Sequence, residues 1–279
     1  MAFIHALPVR PKHTPIQAIF PRAQRRHFIN KGTLCVLMND TTSNQTATLF
    51  SVPVSNFSAR VRYIIYDNNL DIKIEPPGSY LKTPEYRQRV HKYGKFPALV
   101  LPTGESIWES DVIVEYLLDK YGLGERYRPQ TPEKRARARL YVRVHDLYLT
   151  TNQAVLYRPT NTPAEREHGL SQIELHLDTL ETMLTEDNTG RHAVETQMVT
   201  LADIALAPTL AMYAAIMPKW HHRPVFRNRP RLQQLLEGFR ASSETAARVL
   251  EEIEGGVQAW EQSGRFEQMG LSPVKVPNA

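Results

Sequence analysis

Cysteine is almost absent: Cys35 stands alone in 279 residues. That excludes an intramolecular disulfide framework and any multi-cysteine zinc or iron–sulfur site, and it suits a reducing compartment. Long apolar runs are missing too. The longest candidate, residues 201–217, is broken by Asp203 and Pro208, so no membrane span and no membrane partner is expected. Acidic residues are lacking before Asp40, whereas Arg10, Lys12, Arg22, Arg25, Arg26 and Lys31 precede it. Setting those six aside leaves 28 basic against 29 acidic residues. The formal net charge of +5 therefore belongs to the leading segment, and a nucleic-acid partner for the remainder loses its support.

What is present is ordinary for a folded chain. With 42% hydrophobic, 9% aromatic and 23% charged residues, collagen-like, coiled-coil and wholly disordered readings fail, and the length suits two domains. Residues 1–45 form a basic extension with Phe3, Ile4, Ile19, Phe20 and Phe28 among the arginines. This resembles an organelle-targeting presequence, mitochondrial or plastid, without the apolar run of about 7–15 residues that marks a secretory signal. Prolines at 8, 11, 15 and 21 interrupt a continuous amphipathic helix, and no serine precedes Ser43. A disordered extension of a cytoplasmic protein is the alternative.

Periodicity then changes twice. Residues 46–54 (TATLFSVPV) read as a strand, 57–68 as a helix with Val61, Ile64 and Ile65 on one face, and 70–75 (LDIKIE) as a second strand. Residues 76–95 read as a polar loop with room for one helical turn. Residues 96–101 (FPALVL) and 105–108 make a hairpin about Pro102-Thr103-Gly104. A helix starting at Ser110 stops at Gly122. Strand signals vanish from Thr131 onward. Thr131-Pro132-Glu133 and the capping box Thr162 to Glu165 open helices, a second box from Thr200 to Asp203 opens an apolar one, and a further helix follows Pro230. The expected fold is an α/β layer over residues 46–122, a linker over 122–130, and an all-helical bundle over 131–265. The adjacent pair His221-His222 reads as loop, and no His, Cys or carboxylate partner stands at ligand spacing from His145, so no metal site is expected.

Three stretches carry a resemblance: residues 55–62 (SNFSARVR), residues 94–100 (GKFPALV) with Glu109-Ser110 twelve residues after Pro97, and residues 200–207 (TLADIALA). In that order the chain resembles the cytosolic-type glutathione transferases over roughly residues 46–250. The resemblance implies a thioredoxin-like N-terminal domain followed by an all-helical domain, glutathione as co-substrate with no other cofactor, a small electrophilic substrate, and a homodimer.

Residue by residue, the resemblance puts Ser55 where a hydroxyl faces the glutathione sulfur. A free thiol has a pKa near ~8.5, and a hydrogen bond to the thiolate together with the amides of a helix N-terminus would lower it. Ser58 is the competing hydroxyl, with simple N-capping as its alternative role. Phe50 and Ser51 argue against the tyrosine-dependent branch, and serine in place of cysteine argues against thiol exchange. Pro97 would be cis and would turn the backbone of Phe96 toward a peptide ligand. Phe96 is bulkier than the valine usual there. Glu109 and the helix start at Ser110 would hold the γ-glutamyl end, and Lys95 and Lys82 the glycyl carboxylate. Lys82 is weakened by Leu81, which stands where some relatives carry histidine.

For the second substrate, Tyr141, His145 and Tyr148 recur at i, i+4 and i+7, a face that suits either a pocket or the core. Asp203 reads as a structural cap. A glutathione-dependent isomerase or dehalogenase, or a non-catalytic binding module of the same fold, are the alternatives to a transferase.

Overall fold

The computed structural model describes residues 46–159 and 162–274. The basic extension and Cys35 lie outside the described residues. β1 (Ala47–Phe50) is shorter than the strand expected over 46–54, because Pro53 stands in the turn that leads into α1 (Asn56–Asp67). β2 (Ile72–Glu75) pairs parallel to β1, with Ala47 opposite Ile72. β3 (Ala98–Val100) runs antiparallel to β1, and β4 (Ser106–Trp108) antiparallel to β3. The sheet order is β2-β1-β3-β4. This is a thioredoxin-like arrangement, and the parallel crossover through α1 is what places the start of α1 at the C-terminal end of β1.

The stretch expected to be loop with one helical turn, 76–95, holds a 3-10 turn (Gly78–Lys82) and α2 (Pro84–Arg89). Thr83 supplies the cap that the charge-rich composition hid, its hydroxyl accepting from the Tyr86 amide at 3.1 Å. α3 (Ser110–Lys120) ends where Gly122 takes φ +66°, a left-handed turn that costs glycine little. The expected linker contains a short helix, α4 (Gly124–Tyr127).

From there on the described residues are helical. They comprise α5 (Pro132–Val144), α6 (Pro163–Asp187), α7 (Leu201–His221), α8 (Pro230–Ser242) and α9 (Glu244–Gln262). α9 was not separately expected, since Ser243, its N-cap, is a weak signal next to the long amphipathic run around it. His221, expected in a loop, is the last residue of α7, buried and bonded to the Leu156 carbonyl at 3.1 Å; the chain turns only at His222, at φ +59°.

α7 is long and apolar enough to cross a membrane by length and composition, yet 83% of that stretch is buried inside the fold. It packs on α1, α5, α8 and α9, so its all-round apolar character is that of a central helix. The core runs continuously from the sheet through α1 into the bundle: Leu49, Ile64, Leu99, Ile113, Leu117, Leu206 and Leu210 are all fully buried. Each such side chain contributes roughly 1.5–3 kcal/mol of transfer free energy.

The start of α7 is fixed by Asp203, which is fully buried. One carboxylate oxygen accepts from the Thr200 amide at 2.8 Å and its hydroxyl at 2.7 Å, and the other accepts from the Ala193 amide at 2.8 Å. Asp203→Ala would leave those donors buried without an acceptor, so we expect a loss of about 3 kcal/mol. Urea denaturation measures it, and Asp203→Asn, which keeps one acceptor oxygen, should lose less.

Candidate active site

Where α1 begins, the chain has just left β1, and one side chain reaches three groups of the loop between them, beside the backbone bonds from the Ser51 amide to Glu75 at 2.8 Å and from the Ser55 amide to Val52 at 3.1 Å. Arg62, buried on α1, donates to the Ser51 hydroxyl at 2.8 Å, the Val52 carbonyl at 2.9 Å and the Pro53 carbonyl at 2.7 Å. Its Nε reaches Glu252 of α9 at 2.6 Å. α9 approaches this loop so closely that a Cβ on Gly256 would lie 2.5 Å from Val54 Cβ. Glycine is required there for contact, not for a special backbone angle.

Ser55 follows as the N-cap of α1, its Oγ accepting from the Ser58 amide at 3.1 Å. The capping role considered for Ser58 therefore belongs to Ser55. Ser58 itself is fully buried, with its hydroxyl unpartnered, and does not reach the cleft. Ser55 does. It stands at the rim of a cleft of about 410 Å³, whose N-terminal wall also includes Phe57, Leu81, Lys95 and Phe96.

Phe96–Pro97 is cis, as expected. Neither the N–H nor the C=O of Phe96 is taken up by a backbone hydrogen bond among the described residues. Lys95 lines the cleft; of the neighbouring pair 81–82 it is Leu81 that does so, while Lys82 is exposed outside it. Glu109 and Ser110 are not in the cleft wall. The β3–β4 register, with Ala98 opposite Trp108, carried one residue further puts Glu109 across from Pro97. Glu109 adopts φ +73°, uncommon for a side chain with a Cβ, and makes no capping hydrogen bond. Ser110, buried, is the first helical residue rather than the cap. The first amides of α3 are therefore left without a side-chain cap beside the cis-proline, an arrangement suited to a carboxylate.

The trio expected to line a second pocket is not gathered there. Tyr141 is fully buried and donates to Asp187 at 2.6 Å, and its phenol is pushed well above the ordinary value by burial and that carboxylate. Tyr148 is 52% exposed and faces His176. His145 is fully buried. A π-helical turn over His145–Leu149 breaks the 3.6-residue spacing, so i, i+4 and i+7 do not share a face. The helical wall of the cleft is instead Gln153, Tyr157, Arg158, Met212 and Trp260. These come from three separate segments, and no periodicity links them.

Sequence reasoning also missed the polar chain behind this wall. Asn56, the first residue of α1, donates to Gln153 at 3.0 Å and to the Thr209 hydroxyl at 2.7 Å. Thr209 lies 2.5 Å from Nε2 of His145, whose Nδ1 meets Asp146 at 2.9 Å and the Arg60 guanidinium. Arg60 pairs with Asp146 at 2.5 Å and lies over the Phe57 ring, 5.3 Å from its centroid. Asn56 lay inside the SNFSARVR stretch, but only the hydroxyls and arginines of that stretch carried a chemical signal.

Burial, and then the Arg60 charge, lower the His145 pKa to about 4. Burial pushes the Asp146 carboxyl up, but the His145 hydrogen bond and Arg60 outweigh it and hold that group well below the usual carboxylate range. No group of three or more His, Cys, Asp or Glu side chains able to hold a metal exists among the described residues. A recess of about 490 Å³ between α3 and α5 is larger, but most of its charges pair with one another, Arg128 with Glu115 and Asp119 and Arg139 with Glu115, while Arg135 donates to the Pro129 and Gln130 carbonyls.

The His145 shift has a defined sign. An unfolded histidine titrates near ~6.5, so between that pH and about 4 the unfolded chain binds a proton that the folded one refuses. The contribution is fully present above pH 6.5 and lost as pH falls through this window, on the order of 3 kcal/mol in all. The urea midpoint should fall from neutral pH toward about 4.5, and His145→Gln should flatten that dependence. An unchanged slope in the variant would assign the titration to another group.

Residues 49–130 match the family model of the glutathione S-transferase N-terminal domain. A glutathione S-transferase of Arabidopsis thaliana is 32% identical over 95 residues, which cover 33% of this chain and 43% of that protein. The chain thus aligns with less than half the length of that curated relative. The solved structure of a Methylobacillus flagellatus glutathione S-transferase with glutathione bound superposes with a TM-score of 0.60 at 21% identity, covering 73% of this chain and 98% of that one. A delta-class enzyme of Nilaparvata lugens gives 0.64 at 19% identity, covering 80% and 99%. Residues 49–130 thus match a glutathione S-transferase N-terminal domain in sequence, and both layers share the fold of solved glutathione S-transferases.

Proposed function

We propose that this protein is a glutathione transferase of the serine type, joining glutathione to a small electrophile in the cleft at Ser55. The observation that carries the reading is the Ser55 hydroxyl at the cleft rim. Its oxygen accepts from the Ser58 amide, and its own hydrogen is given to no group among the described residues, so it is free to donate to a sulfur. A donor O–H polarised by an accepted N–H bond, at the positive end of a twelve-residue helix, favours thiolate over thiol. The free backbone of Phe96 suits the cysteinyl part of the tripeptide, the uncapped start of α3 the γ-glutamyl carboxylate, and Lys95 the glycyl carboxylate. Isomerisation or dehalogenation would use the same thiolate, whereas a non-catalytic module that uses the fold for protein assembly would need neither thiolate nor cradle.

Because Ser55 is also a helix cap, Ser55→Ala confounds chemistry with stability. Ser55→Gly removes the hydroxyl at a capping cost of only a few tenths of a kcal/mol. We expect Ser55→Gly to raise the thiol pKa of bound glutathione by about one unit and to lower kcat at least tenfold, with glutathione affinity within a few-fold. Ser58→Ala should leave that pKa unchanged. Undiminished turnover in Ser55→Gly would remove the serine from the mechanism, and no retention on immobilised glutathione would favour the module.

A homodimer is part of the proposal. Tyr93, Val112 and Leu140 are 65%, 53% and 44% exposed on the loop before β3, on α3 and on α5, and a second copy would cover such side chains. Sedimentation should give twice the mass of one chain, and Val112→Lys with Leu140→Lys should halve it. A monomer at micromolar concentration would refute the dimer.

A further inference from the structure

The helical wall of the cleft is more specific than an apolar patch. Tyr157 and Trp260 stand with ring centroids 4.9 Å apart, tilted by 40°. Arg265 braces them, its guanidinium 4.7 Å from the Trp260 ring and donating to the Tyr157 carbonyl at 3.3 Å. Phe57 and Phe96 face them from the other layer. The space between accepts a flat, polarisable group.

Next to Tyr157 on the same wall is Arg158. Its side chain is in no ion pair or hydrogen bond among the described residues, in contrast to Arg128, Arg137, Arg223 and Arg229, each of which meets a carboxylate. Among the described residues no Asp or Glu lines the cleft. A cation with no carboxylate partner, facing a cleft without acid, is electrostatically complementary to an anion. Glutathione does not use it up in the arrangement proposed above, where its two carboxylates go to the α3 N-terminus and to Lys95, both on the opposite layer.

Resting on the transferase reading, we infer that the second substrate is an anionic aromatic electrophile, its ring against Tyr157 and Trp260 and its carboxylate or sulfonate on Arg158. The guanidinium is suited to this, since it binds a carboxylate through two parallel N–H donors. It also offsets the repulsion between a negatively charged substrate and the nearby thiolate. In an aromatic substitution the sulfur lone pair forms the new C–S bond, and halide departs with the electrons of the C–halogen bond. Arg158 takes no part in that exchange; it is a specificity-determining residue.

Two probes of matched chemistry test this: neutral 1-chloro-2,4-dinitrobenzene and anionic 4-chloro-3,5-dinitrobenzoate. In Arg158→Gln we expect kcat/KM for the benzoate to fall about tenfold, mainly through KM, with the neutral probe changed less than about twofold and the KM for glutathione unaltered. Arg158→Lys should recover part of the loss, and added salt should narrow the wild-type preference for the benzoate. The neutral probe also reports that the variant is folded. Equal changes for both probes, or none for the benzoate, would overturn the inference while leaving the transferase reading intact. A wild-type protein that conjugates neither probe would overturn both.

Discussion

Two buried arginines on α1 tie the layers together. Arg60 and Arg62 each have side chains 3% exposed, and each meets a carboxylate from the helical part, Asp146 and Glu252. Burial lowers the Arg62 pKa, and Glu252 opposes that shift. A buried charge left without its partner costs roughly 3–5 kcal/mol, so α1 cannot keep its place unless both the π-helical turn after α5 and helix α9 are also in theirs. The position of Ser55, at the tip of that helix, is therefore decided by residues almost 200 positions away. The loop before it is tied to β2 by the Ser51 amide on the Glu75 carbonyl and to α1 by the Arg62 guanidinium.

The cleft that results has two walls of different character. On the sheet side the groups offered are the free backbone of Phe96, the uncapped helix N-terminus of α3, the Ser55 hydroxyl and Lys95. The first two are main-chain features, tolerant of side-chain change around them. On the helical side they are side chains, Tyr157, Arg158, Met212 and Trp260. Divergence should then be easier on the second wall than on the first. The family model matches residues 49–130, and the solved structure of the delta-class glutathione transferase matches the fold over 80% of the chain. In the proposed function the first wall would take the thiol and the second would select what it attacks.

A hydroxyl such as that of Ser55 can accept and donate at once. As an acceptor it satisfies one of the first amides of α1, that of Ser58. As a donor it remains free, and the two roles use different parts of the same group. The polar chain from Asn56 through Thr209 to His145 and Asp146 keeps the first turn of α1 from rotating about its axis, because Asn56 is bonded on two sides within the interior.

Local chemistry was legible from the chain alone. Proline, glycine and capping residues marked α3, α5, α6 and α7, helical spacing marked α1, and the alternation in LDIKIE marked β2, because each depends on a few neighbouring residues. The cis bond at Pro97 and the roles of Ser55, Lys95 and Phe96 came instead from the resemblance to glutathione transferases; the structure has the cis bond and sets Ser55, Lys95 and Phe96 on one cleft, and Asp203 keeps the capping role read from its motif. The hydroxyl reading of Ser58 and the Tyr141, His145, Tyr148 wall failed because burial and a π-turn are properties of packing, invisible in a spacing rule. The second wall of the cleft joins Gln153, Tyr157 and Arg158 to Met212 and Trp260. Only the folded arrangement of helices brings such distant positions together, since no short-range pattern encodes a contact across a hundred residues.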